Sequence, residues 1–268
     1  MAVRAIPASM DPTVVGSIDR ALDQLEHEYR VSIRLAIESG SRAWGFPSPD
    51  SDYDCRFVYI AELETYLSPW HTYDVLEPPI SGPLDLNGWD LAKALQLLVQ
   101  GNAVLIEWLM SPITYRRDTE FCARLRAVAE EVTDRDEIAR HYLHLGNKQW
   151  ALFNHSRSLK KVFYSLRPAM VLRWLREHPA STMTPMHLPT LMRQCELPAD
   201  LSAAVAELTG LKSQAHEMGS GPVPAPISAF ITTELDCAAR TFHESVAHDR
   251  VRAQAVAAEF FQAEALTR

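Results

Sequence analysis

The chain has 268 residues, 47% of them hydrophobic and 22% charged, with acidic side chains outnumbering basic ones to give a formal net charge of −8. That length and apolar content suffice for one large or two modest cores, so a predominantly disordered chain is excluded, and no apolar run is long enough to span a bilayer. The acidic balance argues against a protein that coats nucleic acid indiscriminately, because such binding needs a basic surface to release counterions from phosphates.

In chain order, the spacing of Ile18, Leu22 and Leu25 predicts a helix from about Pro12 to Glu28 that covers one face of a sheet. Val31-Ser-Ile-Arg-Leu-Ala-Ile-Glu38 then reads as a buried strand, broken by Gly40, Ser41 and Gly45. Such a turn exposes backbone N–H groups. Its glycines permit close approach of a ligand, and the Ser41 hydroxyl can donate to a phosphate oxygen, which suits a nucleoside triphosphate. Within it, Arg42 either meets a phosphate or packs, and Trp44 either stacks on a base or lies beneath the loop.

The next strand carries Asp52-Tyr-Asp54, whose alternation places both carboxylates on one face with Arg56, and Tyr53 and Cys55 on the other. Two adjacent carboxylates repel. A divalent cation relieves that repulsion, and magnesium prefers such hard oxygen ligands together with substrate phosphates.

A shorter strand is expected around Thr72 to Leu76, and another at Leu84-Asp-Leu86, so that Asp85 projects in the same sense as Asp52 and Asp54. Asp90 follows Gly88 and Trp89 at the start of a helical pattern, where an acid complements the first-turn amides. That helix carries Leu91, Leu95, Leu97 and Leu98 and breaks at Gly101-Asn102, and a second runs from Ala103 to Met110. Trp89 and Trp108 read as core.

From Asp118 onward the pattern is almost wholly helical, interrupted by prolines and by one clear linker, Gly219 to Pro226. The fold expected is therefore α+β: a small mixed β-sheet domain with flanking helices over 1–116, then an all-helical domain over 117–268.

The helical half carries Lys148, Arg157, Lys160, Lys161, Arg167, Arg173 and Arg176 interleaved with aromatic residues, a basic patch in outline for nucleotide or acceptor contacts. Lys160 or Lys161 can meet the β- and γ-phosphates as a point charge beside Tyr164, and Arg167 can grip them bidentately. A solvated basic face is an equal reading for either lysine. Pro168 is expected to start a helix, which makes Ser165-Leu-Arg167 a turn that brings Arg167 to the cleft. His141 and His144 have no acidic partner nearby in the sequence and read as helix surface. Cys55, Cys122, Cys195 and Cys237 form no C-x-x-C pair, so neither a zinc site nor a disulfide framework is suggested. With no signal peptide after Met1, a cytoplasmic location without membrane contact is expected.

Gly40-Ser41 followed by Asp52-x-Asp54 and an apolar strand resembles the signature of the DNA polymerase β-like nucleotidyltransferase superfamily. The longer string Gly-Ser-Arg-Ala-Trp-Gly-Phe-x-Ser-Pro-Asp-Ser-Asp-Tyr-Asp-x-Arg-Phe looks like a narrower bacterial branch associated with RNA ligases and RNA repair. Leu84-Asp-Leu-Asn-Gly-Trp-Asp-Leu91 and Lys160-Lys-x-Phe-Tyr-x-Leu-Arg-Pro168 extend that likeness over residues 30–175.

The resemblance implies a third carboxylate on a neighbouring strand, for which Asp85 is favoured over Asp90, Asp74 and Glu77. It also implies two Mg2+ ions, or Mn2+ in their place, held by Asp52, Asp54 and Asp85. Gly40, Ser41, Arg42, Lys160, Lys161, Tyr164 and Arg167 are then the candidate nucleotide-binding residues. The implied reaction moves a nucleoside monophosphate from an NTP to an acceptor hydroxyl and releases pyrophosphate. An RNA end is the expected acceptor. A protein side chain, a small molecule such as an antibiotic, or an idle nucleotide-binding module are the alternatives, and oligomeric state is not legible.

Overall fold

The structure, a computed structural model, describes residues 4–70, 73–79, 82–214, 219–242 and 249–267. Helix α1 (Pro12–Tyr29) starts on Asp11, whose side chain accepts from the Thr13 N–H at 2.7 Å, with Pro12 pre-set for the first turn. It stops at Arg30, which takes a left-handed conformation (φ 54°), and it buries Val15, Ile18, Leu22 and Leu25 as the spacing predicts.

The chain then runs through β1 (Val31–Glu38), α2 (Gly40–Trp44), β2 (Tyr53–Ala61), α3 (Leu63–Leu67), β3 (Val75–Leu76) and β4 (Leu84–Asp90). After these come α4 (Leu91–Val99), α5 (Val104–Leu109) and β5 (Thr114–Arg117). The sheet order is β3-β4-β2-β1-β5; β2 and β4 are parallel and the other neighbours antiparallel, so the sheet is mixed. The helical part comprises α6 (Thr119–Val132), α7 (Arg135–Ser156), α8 (Leu159–Glu177), α9 (Leu188–Gln194), α10 (Ala199–Gln214), α11 (Ala225–Thr241) and α12 (Arg250–Thr267). The expected α+β class is what the structure has.

Alternation along β2 decides where the site lies. Tyr53, Cys55, Phe57 and Tyr59 enter the apolar layer under α1, whereas Val58 and Ile60 enter the core shared with the helices. Asp54 and Arg56 have the parity of Val58, so they face the helices at the open end of the strand. The helix-side core holds Leu35 and Ile37 of the sheet, Leu95 of α4, Leu125 of α6, Leu166 of α8 and Phe260 of α12, so the two halves share one apolar cluster. Among the described residues, no helix is long and apolar enough to cross a membrane.

Four local expectations need correction. Strand β4 runs on past the expected Leu84-Asp-Leu86 through Asn87-Gly88-Trp89 to Asp90, where Gly88 pairs with Phe57 and makes room for its ring; a Cβ there would stand 2.0 Å from it. Strand β5 is an addition to the expected strands; it pairs with β1 at the expected end of the sheet half. Pro168 lies inside α8 rather than at a helix start. The missing hydrogen bond is tolerated because α8 is buried around most of its circumference, including Val162, Phe163, Leu166, Ala169 and Met170, and packing outweighs one backbone bond. Gly146 of α7 allows this approach, since a Cβ there would lie 2.7 Å from Leu235 and 3.4 Å from Pro168.

The Gly219–Pro226 segment, the fourth, is tied down rather than a free linker. Leu159 N–H donates to the Gly219 carbonyl and Gly221 N–H to the Arg157 carbonyl. Of the expected Thr72–Leu76 strand, Thr72 lies outside the described residues, and β3 supplies Val75 and Leu76.

Candidate active site

Where β1 ends, Ser39 N–H donates to the Asp54 carbonyl at 2.8 Å and the chain turns into α2, a short helix where an open turn was expected. Gly40 makes the turn with φ 58°. A Cβ on it would stand 1.8 Å from Asp54 Oδ2, so only glycine lets the backbone lie against that carboxylate. Gly45 closes α2 at φ 89°.

The loop to β2 is folded back onto α2. Ser41 Oγ donates to Ser51 Oγ at 2.8 Å, Arg42 donates to the carbonyls of Ser51 (2.6 Å) and Asp52 (3.1 Å), and its guanidinium lies 4.0 Å over the Tyr53 ring. Arg42 therefore holds the loop that presents Asp52. Asp52 itself is exposed, one residue before β2 begins.

The parallel register of β2 and β4 sets Asp54 beside Asp85. Arg56 lies between them, donating through Nη2 to Asp54 Oδ1 (3.1 Å) and Asp85 Oδ2 (2.8 Å) and through Nη1 to the Asp85 carbonyl. Burial raises the Asp54 carboxyl above its usual range, Arg56 opposes that, and Asp85 and Asp52 add to it.

Beneath this pair lies a residue given no role from the sequence. Glu38, fully buried, accepts from Asp54 N–H at 3.1 Å and from the Tyr115 hydroxyl at 2.5 Å. Burial is the largest cause of its carboxyl rising to about 7. Its signal in the sequence is an acid closing an apolar strand two residues before Gly40.

Asp52, Asp54 and Arg56, though not Glu38 or Asp85, line one wall of a cleft of about 640 Å³. Ser41, Asp52, Asp54 and Arg56 face Lys160 and Tyr164 of α8 and Lys212 of α10, with Trp44 edge-on to Tyr164 at 5.7 Å. Lys212 was missed, because nothing local to α10 marks it. It is only 2% exposed, donates to the Phe46 carbonyl at 2.5 Å, and lies over the Phe46 and Phe163 rings. Burial is the main reason its ammonium falls to about 8, and Lys160 adds to the effect.

Other candidates lie elsewhere. Lys161 does not line the cleft. Arg167 is buried under Trp44, with its guanidinium 4.5 Å from that ring and 2.8 Å from Glu107 Oε1, which Tyr142 also contacts. It is a buried ion-pair partner in this structure and not a wall of the cleft. The basic patch dissolves further, since Arg173 pairs with Glu177 and Glu234, and Arg176 with Glu234. Among the other acids, Asp90 caps α4 through Ala92 N–H and accepts from Tyr66, Asp74 pairs with Lys93, and Glu77 is exposed.

A sequence profile of the RNA repair pathway DNA polymerase beta family matches residues 15–261. The chain belongs to that family. A relative from Bacillus subtilis (strain 168), named only as uncharacterized protein YcgL, is 37% identical over 217 residues, which cover 80% of this chain and 83% of the relative. The match to this polymerase β-like nucleotidyltransferase family reaches well beyond residues 30–175, so both walls of the cleft belong to it.

Among the described residues, no three of His, Cys, Asp or Glu stand together as a ready-made cage for a metal ion. The donor set nevertheless fits a hard cation that takes one or two protein carboxylates and completes its shell with water and phosphate. Asp52 is exposed to the cleft and Asp54 is packed against Gly40, while Asp85 stands behind Arg56.

Proposed function

We propose that this chain transfers a nucleoside monophosphate from a nucleoside triphosphate to a hydroxyl at an RNA end, releasing pyrophosphate. The observation that carries the reading is the Asp54 carboxylate held against Gly40 in a cleft whose opposite wall presents Lys160 and Lys212. A charged pair of walls of this kind suits a polyphosphate bridging them.

On this reading the α2 turn and Ser41 orient the phosphates, Lys160 and Lys212 draw the β- and γ-phosphates to the helical wall, and Trp44 with Tyr164 flanks the base. Asp52 and Asp54, with Asp85 behind them, would hold Mg2+, which when bound would supply charge neutralisation at the triphosphate and a more acidic acceptor hydroxyl. The acceptor oxygen attacks the α-phosphorus as the bond to the β-phosphate oxygen breaks, and the Asp85 carboxylate takes the acceptor proton once Arg56 has turned from it to the phosphates. Arg56 keeps Asp54 and Asp85 side by side before substrate arrives.

The test incubates wild type and an Asp52→Ala/Asp54→Ala double variant with each α-labelled NTP, magnesium, and RNA, DNA and protein acceptors. Label on RNA from wild type, falling at least about 10³-fold in the variant, is the expected outcome. Label on protein alone, or an undiminished rate in the variant, would overturn the reading.

A further inference from the structure

A second cleft, about 760 Å³, opens between the Gly101-Asn102 connection, the first half of α7 and the start of α12. It shares no lining residue with the active-site cleft, which meets the chain at Ser158, beyond the C-terminus of α7. Its charge is unusual for so acidic a chain. Among the described residues, the cleft's one carboxylate, Glu137, is bound by Arg250 through Oε1 at 2.6 Å while its Oε2 has no partner, and Arg140 and Lys148 stand beside His141 and His144 as cations in excess of it.

Arg140 is the decisive residue. Arg167, Arg173, Arg176 and Arg250 are each paired with a glutamate, yet no side-chain hydrogen bond or ion pair joins Arg140 to any described residue, and the Nη1 of its half-buried side chain has no partner. A guanidinium held partly out of water without an acceptor is costly, and it is relieved by an anion that its planar fork can grip. Arg140, His144 and Lys148 recur at four-residue intervals, so they share one face of α7 over about 12 Å. A row of that length can meet successive phosphates of one strand, where a single small anion would need one point of contact.

We propose that this cleft is a phosphate-backbone site for single-stranded RNA, gripping the acceptor strand away from the reacting end. The identity of the strand as RNA rests on the function proposed above; the unpaired cationic row does not.

The experiment measures anisotropy of a 5′-labelled 12-nucleotide RNA and of a labelled oligoglutamate with the full chain across a salt series. Wild type is compared with Arg140→Gln, Arg140→Lys and Lys148→Gln, with ATP affinity and melting temperature as parallel readouts. Each Gln variant should weaken RNA binding about five- to tenfold and flatten the slope of log K against log salt by about 0.7, with ATP affinity and melting unchanged. Arg140→Lys should keep the slope while losing affinity, because it retains the charge without the fork.

RNA affinity and slope identical in wild type and both Gln variants, no RNA binding by wild type, or oligoglutamate bound as tightly as RNA would each overturn the inference. If wild type labels RNA while the Gln variants bind it normally, this cleft alone is refuted. If the Gln variants bind RNA weakly but wild type never labels it, the cleft stands and the proposed reaction falls.

Discussion

The two walls of the active-site cleft differ in sign and in how they are built. The sheet wall is acidic and local: Asp54 and Asp85 are neighbours in strand register, Gly40 lies against Asp54, and Arg42 and Ser41 bind the loop that carries Asp52. The helical wall is basic and assembled at long range, with Lys160 from α8 and Lys212 from α10, whose amine reaches back to the Phe46 carbonyl. A wall made by strand alternation needs few outside supports. A wall made by several helices depends on the core that fixes their mutual positions, and here that core contains a buried charge pair, Arg167 with Glu107.

The largest expected effect tests that dependence. Arg167→Met leaves Glu107 buried without its cation, the Tyr142 hydroxyl still donating to it, and should cost about 3–5 kcal/mol of stability, measured as a shift in denaturant midpoint. Adding Glu107→Gln should recover most of the loss. An Arg167→Met protein with unchanged stability but weakened ATP binding would instead make Arg167 a phosphate ligand and erase the distinction between the walls.

A smaller effect separates the walls by their glycines. Gly40 and Gly219 share a left-handed backbone, at φ 58° and 62°, but a Cβ at Gly40 meets Asp54 at 1.8 Å while one at Gly219 meets nothing within 4 Å. Both alanine variants carry about 1–2 kcal/mol of backbone strain. Only Gly40→Ala should also displace the carboxylate and lower nucleotidyl transfer, by about 10²-fold. Equal activities in the two variants would show that the approach of Gly40 to Asp54 has no part in catalysis.

Legibility in the sequence follows the same division. Period-two alternation places Asp54 and Arg56 on one face without knowledge of anything distant, Asp85 joins them through the β2–β4 register, and the helix and strand over residues 12–38 are fixed by equally local spacing. What was not legible depends on contacts across the fold. The expected strand stops at Leu86 because Gly88 reads as a strand residue only with the Phe57 ring beside it, and Thr114-Tyr-Arg-Arg117 is too short and polar to declare a strand without β1 beside it. Pro168 reads as a helix start because its burial within the bundle is invisible locally, and that error sent Arg167 to the wrong place. Counting basic residues in the helical half could not tell which were already claimed by Glu107, Glu177 and Glu234. Lys212 has no local mark at all; it is a functional candidate only because the bundle carries it to Phe46.

Lys212 gives the smallest effect and the finest test, because its two consequences run in opposite directions with pH. Burial lowers its ammonium from the ordinary 10.5 to about 8, so between those values the unfolded chain holds a proton that the folded chain has released. Stability contributed by this group therefore rises with pH across that window. Triphosphate binding requires the charged form, so ATP affinity should fall as pH rises past about 8. Lys212→Met should weaken ATP binding about tenfold at pH 7, or about 1.4 kcal/mol, and abolish both dependences. Were the amine there only to brace the Phe46 carbonyl, the variant would melt earlier while its ATP affinity kept the wild-type value and pH profile. The helical wall would then hold nucleotide through Lys160 alone, and the charge opposition across the cleft would rest on one exposed side chain.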